Sequence, residues 1–186
     1  MMEWWKVGAA CFGALLLFVV GIYVGGTMID GRIDMGTEAS IEAPQTQVYE
    51  YVATGEGVVQ WWTAAGAEFA DSGYPPLDIS VIEPGGADGV GLHVRFSSDG
   101  TVMEDWTVIS ASPPESVVWR VDFAGMMEVE RTLSVRTDGD GCIVGWHEVG
   151  TIDNPMFRYM TLMMPPEDIV KNFDGALTAL KKEAEK

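Results

Sequence analysis

An arginine and a glutamate in the last predicted hairpin are the residues best placed to act on a bound molecule. The segment Asp138-Gly139-Asp140-Gly141 has the composition of a tight hairpin turn. Counting outwards from its two central residues places Arg131 opposite Glu148 and, on the same face, Leu133 opposite Trp146. A register slip of two residues would keep this face but break the direct pairing. A charge pair among apolar side chains is costly unless the charges neutralise each other or contact a polar ligand, so both roles stay open.

Adjacent carboxylates in an earlier strand are the second candidate for chemistry. Glu104 and Asp105 lie in the predicted strand 101–110, where neighbouring side chains point to opposite faces of the sheet. One of the two therefore points inward in either register, and the apolar pattern does not decide which. A carboxylate buried among apolar side chains has a raised pKa and can act as a general base, as could Glu148. A position at the open rim of a cavity is the alternative.

Few other side chains could carry out chemistry near neutral pH. The chain has two histidines, His93 and His147, and both alternate away from the apolar faces of their strands. The two cysteines, Cys11 and Cys142, lie in unrelated segments and match neither a disulfide framework nor a zinc spacing. No nucleophile–base set, metal motif or phosphate loop occurs in the sequence, so we expect no cofactor and no metal.

Two clusters of large apolar residues could contact a hydrophobic ligand or pack in the core. One is the pair Trp61-Trp62, for which core packing is the favoured interpretation. The other is the methionine-rich segment 154–164, which includes Met160 and Met163. Methionine adapts to irregular apolar surfaces, so this segment is expected to line a cavity mouth, to contact a bilayer or to pack in the core.

The elements that must position these residues are a sheet and a long C-terminal helix. Residues 165–186 have an apolar stripe with helical spacing, formed by Ile169, Phe173, Ala176, Leu177 and Leu180. Two short helices are predicted over 45–53 and 57–62, and strands separated by turns over 66–152. Helices on one face of an antiparallel sheet predict an α+β fold.

The N-terminal segment is predicted to be a membrane anchor. Residues 7–29 carry no charge, and a run of about 20 apolar residues can span a bilayer. The pattern therefore predicts a single-pass anchor over 1–29, a linker over 30–34 and one domain over 35–186, with the domain on the extracytoplasmic side. A cleaved signal peptide is the alternative. Gly21 and Gly25 form a G-x-x-x-G pair that could bring two such helices together.

The charge of the chain excludes one class of partner. All but one of the 28 acidic residues, and all but one of the 11 lysines and arginines, follow residue 29, and the net charge is −17. Such an acidic surface repels phosphate backbones and anionic lipid headgroups. We therefore expect no nucleic-acid binding.

The order of these motifs resembles the START-like or SRPBCC superfamily, in particular its polyketide cyclase/dehydrase-type members. The segments that carry the resemblance are SIEAPQTQVYEYVA, VVQWW, VISASPPESVVWRV, CIVGWHEVG and NPMFRYMTLMMPPEDIVKNFDGALTALKKEAE. The resemblance implies a helix-grip (Bet v 1-like) fold, with a curved sheet around the C-terminal helix and an apolar cavity between them. The residues expected to line that cavity are Arg131, Glu148, Trp146, Leu133, Trp119, Met160, Met163 and Phe173.

Three functions remain open at the level of sequence. The first is a membrane-anchored module that binds a hydrophobic small molecule, such as a lipid, a quinone or a polyketide-like compound. The second is an enzyme of cyclase or dehydratase type that uses Glu104, Asp105 or Glu148. The third is a non-catalytic interaction subunit of a membrane assembly, with the cavity filled by side chains. Fold alone does not choose among them.

Overall fold

A computed structural model describes residues 4–69, 76–163 and 165–186 of the chain. The elements, in chain order, are α1 (Trp4–Thr27), β1 (Arg32–Ile41), α2 (Gln45–Ala53), α3 (Gly55–Phe69), β2 (Asp78–Pro84), β3 (Leu92–Ser98), β4 (Thr101–Ser112), β5 (Ser116–Asp122), β6 (Glu128–Asp138), β7 (Gly141–Thr151), α4 (Pro155–Met160), a 3₁₀ turn (Thr161–Met163) and α5 (Pro166–Ala184). The first strand begins at Arg32, inside the predicted linker 30–34. The third helix runs well past the predicted end at residue 62.

The strands form one antiparallel sheet in the order β1-β7-β6-β5-β4-β3-β2. Alternate residues of its central strands are buried, which makes one face apolar, as the period of two in their sequences requires. The register of β6 and β7 is the predicted one: Asp138 pairs with Gly141, Leu133 with Trp146 and Arg131 with Glu148. A short turn and a buried face together fix that register.

The last helix, α5, covers the apolar face of the sheet. It begins after Pro165 with acidic residues in its first turn, ends with lysines in its last turn, and so complements the helix dipole. Ile169 is half-buried against the core, and the buried residues are Phe173, Ala176, Leu177, Ala179, Leu180 and Ala184, which confirms the predicted stripe. It packs against β1, α2 and α3. The predicted α+β architecture, with the C-terminal helix held against a seven-stranded antiparallel sheet, is confirmed.

The N-terminal helix α1 differs from α5 because it leaves apolar side chains exposed. Apolar side chains along it are exposed, among them Leu17 at 73% and Phe12 at 69%. Within the residues that the structure describes, no helix is long and apolar enough to cross a membrane. This finding does not support the predicted transmembrane anchor over 7–29.

The contact between α1 and α4 also changes the interpretation of the G-x-x-x-G pair. A Cβ atom added to Gly25 would lie 3.2 Å from the Tyr159 ring, and one added to Gly26 would lie 1.7 Å from the carbonyl oxygen of Pro155. Nothing lies within 4 Å of the corresponding position at Gly21. The predicted association of two helices through Gly21 and Gly25 is therefore not supported, because α4 of the same chain already covers Gly25.

Candidate functional site

The space between the sheet and the helices α3 and α5 is occupied by aromatic side chains. Trp61, Trp106, Trp119 and Trp146 are each no more than 2% exposed. Trp62 contacts Trp106 and Trp146 with ring centroids 5.3 and 6.1 Å apart, and also contacts Phe96. Phe173 of α5 stacks on Trp146 at 4.9 Å, with an angle of 14° between the ring planes. Edge-on and offset contacts of this kind add to the free energy of burial.

A buried arginine lies within this aromatic cluster. Arg131 is 3% exposed, because it alternates inward with Val129, Leu133 and Val135 along β6. Its guanidinium carbon lies 4.1 Å from the centroid of the Trp106 ring and 4.5 Å from that of Trp146. A cation at these distances over an indole face is attracted by the ring quadrupole. The two indole rings therefore stabilise the positive charge of Arg131 in an otherwise apolar interior.

Two glutamates accompany this arginine. Glu148, which is 4% exposed, accepts hydrogen bonds from Nε of Arg131 at 2.5 Å and from Nε1 of Trp146 at 3.1 Å. Glu104 accepts a hydrogen bond from Nε1 of Trp106 at 2.7 Å, and its Oε2 lies 3.9 Å from Nη1 of Arg131. Burial raises the pKa of Glu104, and the nearby Arg131 only partly opposes this shift. Unlike Arg131 and Glu148, Glu104 is only half-buried, with 29% of its side chain exposed.

Two nitrogen atoms in this region lack a hydrogen-bond acceptor. In the described part of the chain, the buried side-chain nitrogens and oxygens without a hydrogen-bond partner are Nη1 of Arg131 and Nε1 of Trp62. A buried donor that is left unpaired costs about 1–3 kcal/mol. Such groups are rare in folded proteins, and each calls for an explanation, such as an ordered water, an ion or a functional role.

Asp105 lies on the opposite face of the sheet from its neighbour. It accepts hydrogen bonds from Arg95 at 2.8 and 3.0 Å, and lies 2.9 Å from Nε2 of His93. The bond from Arg95, followed by the one from His93, lowers the pKa of Asp105. The expectation that Asp105 could act inside a cavity is wrong, because the alternation of β4 directs Glu104 inward and Asp105 outward.

The two histidines lie away from the aromatic cluster, as the alternation predicts. His147 is exposed on the outer side of β7, where its Nε2 lies 3.0 Å from a carboxylate oxygen of Asp34. His93 is half-buried beside Asp105. Neither histidine is placed to transfer a proton to a molecule held between α5 and the sheet.

Six of the eight predicted ligand-binding residues come together in one buried region: Arg131, Glu148, Trp146, Leu133, Trp119 and Phe173. Met160 does not, because it lies at the end of α4 with 53% of its surface exposed. Met163 is in the 3₁₀ turn, and its side chain lies outside the described residues. Trp62, for which core packing is the favoured interpretation, and Trp106 are absent from the predicted ligand-binding residues. The spacing of two residues between Glu104 and Trp106 indicates that these two side chains share a face of β4.

The predicted open cavity is not what the structure shows in this region. Aromatic rings occupy the space between α5 and the sheet, as described above. Two surface pockets among the described residues lie elsewhere, one around Ser40 and Asp140 and the other around Tyr49 and Pro113. In the same part of the chain, no group of three or more potential ligand side chains is placed to hold a metal ion. A guest molecule would therefore have to displace aromatic side chains.

The fold and sequence have known counterparts. The family model for polyketide cyclase/dehydrase and lipid transport matches residues 32–185. Among curated proteins, none matches this sequence.

The solved structures that are similar to the chain include three that each align with a little over four-fifths of it. CV1439 from Chromobacterium violaceum is 17% identical, with a TM-score of 0.59 over 82% of this chain and 97% of that one. The Aha1 dimer from Colwellia psychrerythraea is 19% identical, with a TM-score of 0.54 over 82% and 96%. DynU16, encoded in the dynemicin biosynthetic locus, is 17% identical, with a TM-score of 0.53 over 82% of this chain and 46% of that one. At such identities, the likeness shows the fold alone.

Proposed function

Because this chain belongs to the polyketide cyclase/dehydrase and lipid transport family, we propose that it binds a hydrophobic small molecule between α5 and the sheet. The membership agrees with the resemblance to the START-like or SRPBCC superfamily found in the sequence. The observation that carries the proposal is Arg131, which is 3% exposed and has a buried nitrogen without a hydrogen-bond acceptor. A side chain in that state is stabilised by a guest that brings a polar atom into an apolar site.

Binding requires that part of the aromatic cluster moves, and the hydrogen bonds identify which ring is free to do so. Trp61, Trp106, Trp119 and Trp146 each donate a hydrogen bond from Nε1, to Ala176 O, Glu104, Val52 O and Glu148, respectively. Trp62 has no such bond. Rotation of Trp62 therefore breaks ring contacts but no hydrogen bond, and its side chain is the one we expect a ligand to displace.

The most direct test is native mass spectrometry of the purified full chain, combined with organic extraction of bound molecules. We expect a co-purifying apolar compound, or saturable binding of a neutral naphthylamine fluorophore. A Leu133→Trp variant, which overfills the interior, should reduce binding, whereas Val149→Trp on the outer face should not. If neither a compound nor fluorophore binding is found, the ligand-binding proposal fails, and the filled interior instead favours a non-catalytic interaction subunit.

An enzyme that uses the same interior is the second candidate, and Glu104 is the observation that favours it. Burial raises the pKa of this carboxyl group, and a carboxyl group with a raised pKa can take or give a proton in a cyclisation or dehydration. The structure holds a second carboxylate, Glu148, but its bonds to Arg131 and Trp146 commit it to charge balance. Turnover of a bound compound that is lost in Glu104→Gln, while binding is retained, would support this candidate. Unchanged turnover would exclude Glu104 as the catalytic residue.

Attachment to a membrane also belongs to this proposal. Its support is the exposed apolar surface of α1, since a helix that is apolar all round is typical of a lipid or protein environment. The single-pass topology is not included in it. In cells that express the full chain, washing of membranes with high salt should leave the protein in the pellet. The control is a variant in which Leu16 and Leu17 are replaced by lysine. If the wild-type protein is recovered in the supernatant as fully as this variant, attachment through α1 is contradicted.

A further inference from the structure

The two unpaired donors, Nη1 of Arg131 and Nε1 of Trp62, lie against the same pair of rings. The Arg131 guanidinium is 4.1 Å from the Trp106 centroid and 4.5 Å from the Trp146 centroid. The Trp62 ring is 5.3 and 6.1 Å from the same two centroids. The two groups therefore contact the same two rings of the aromatic cluster, those of Trp106 and Trp146.

What the two unpaired donors lack is an acceptor. Arginine and the indole ring only donate hydrogen bonds. The carboxylates of Glu148 and Glu104 accept from Arg131 Nε, Trp146 and Trp106, and neither accepts a hydrogen bond from the two unpaired donors. A ligand that completes the site must therefore contribute a lone pair, and an oxygen atom with two lone pairs could accept from both donors.

The charge balance indicates which kind of oxygen fits. One positive charge, on Arg131, is accompanied by two carboxyl groups, Glu148 and Glu104. A ligand carboxylate or phosphate would add another negative charge to a buried site that is not short of them, and like charges in a low dielectric repel strongly. The net charge of −17 on the whole chain also disfavours the binding of an anionic ligand. An uncharged oxygen avoids both costs.

We propose that the ligand carries an uncharged oxygen acceptor, such as a ketone, ester or quinone carbonyl, held between Nη1 of Arg131 and Nε1 of Trp62. This inference rests on the proposed binding function and narrows it to a class of compound. It gives Trp62 the role of a specificity-determining residue that recognises the carbonyl through its indole N–H. Fatty acids and other anionic lipids are disfavoured by the same site.

The test compares three straight-chain compounds of equal length: an alkane, a methyl ketone and a fatty acid carboxylate. Each is delivered from cyclodextrin and competes with the neutral naphthylamine fluorophore for the full chain. We expect the ketone to compete about tenfold more strongly than the alkane, as one to two net hydrogen bonds imply. We expect the carboxylate to compete less well than the ketone.

Variants separate recognition of the oxygen from binding of the apolar chain. Trp62→Phe keeps a ring but removes one of the two donors, so the advantage of the ketone should fall severalfold while binding of the alkane is unaffected. Trp119→Phe removes an indole N–H that is bonded to Val52 O, and should leave the advantage intact. Fluorophore bound to the exposed surface of α1 would not respond to either change.

The outcomes distinguish the two proposals. Equal competition by alkane and ketone, preference for the carboxylate, or a ketone advantage that is undiminished in Trp62→Phe would overturn the carbonyl inference and leave the binding function standing. The absence of any saturable competition in the wild-type chain would overturn the binding function itself.

Discussion

Removing one member of the Arg131–Glu148 pair should destabilise the domain far more than removing both. Glu148→Leu leaves the guanidinium of Arg131, which is 3% exposed, with Glu104 as its nearest charged partner at 3.9 Å. It also leaves the indole N–H of Trp146 without its acceptor. Breaking a buried ion pair in this way costs about 3–5 kcal/mol. For a domain of this size, that corresponds to a fall in melting temperature of roughly 6–20 °C.

The double variant provides the decisive comparison. Arg131→Met with Glu148→Leu replaces both charges by apolar groups of similar volume, and such replacements are often neutral or even stabilising. We therefore expect its free energy of unfolding to exceed that of either single variant, which is a strongly non-additive double-mutant cycle.

The assay is urea denaturation followed by tryptophan fluorescence and circular dichroism, at the same pH for all four proteins. A matched control cycle on the exposed pair Arg136–Glu38, whose side chains are 59% and 53% exposed, should give a coupling of at most about 1 kcal/mol. If Glu148→Leu costs less than about 1 kcal/mol, or if the buried cycle is additive, the account of Arg131 as an enclosed charge is wrong.

Three further predictions concern pH, the α1–α4 contact and the aromatic cluster. The pKa of Glu104 is raised in the folded state from its ordinary value of 4.5, so its contribution to stability is fully present below that pH and is lost as the pH rises through the folded value. Glu104→Gln should remove this fall, and an unchanged pH profile of the free energy of unfolding would refute the shift. Gly26→Ala would place a Cβ atom 1.7 Å from Pro155 O and should speed hydrogen exchange in α4, whereas Gly21→Ala should not; equal rates would refute the contact. Phe173→Ala removes the ring stacked on Trp146 and should lower the free energy of unfolding by about 3–5 kcal/mol, and a loss below about 1 kcal/mol in urea denaturation would contradict that packing.

The parts of the site that the sequence predicts are those governed by local rules. A short Asp-Gly turn and strict alternation fix the pairing of β6 with β7, and this is enough to place Arg131 opposite Glu148. The stripe on α5 is likewise a consequence of helical periodicity alone. Both features depend on residues close together in the chain.

The parts that the sequence does not predict depend on contacts between distant elements. The pairing of β4 with its neighbours shifts at two irregular positions, so counting along the strand does not reveal which acid faces inward. Whether a cavity remains between α5 and the sheet depends on how the rings of Trp61, Trp62 and Trp106 pack together in three dimensions. The exposure of Met160 cannot be predicted from the sequence for a related reason. A methionine-rich pattern does not specify which element packs against it.

The indole N–H resonances of the full chain provide the most direct measurement of ligand binding in the interior. In nitrogen-15 spectra recorded during titration with the methyl ketone, the Trp62 resonance should move downfield as its N–H gains an acceptor. The Trp119 resonance, already bonded to Val52 O, should stay nearly unchanged. Saturable binding of the ketone that leaves the Trp62 resonance unmoved would contradict the account, because the ligand would then lie outside the aromatic cluster.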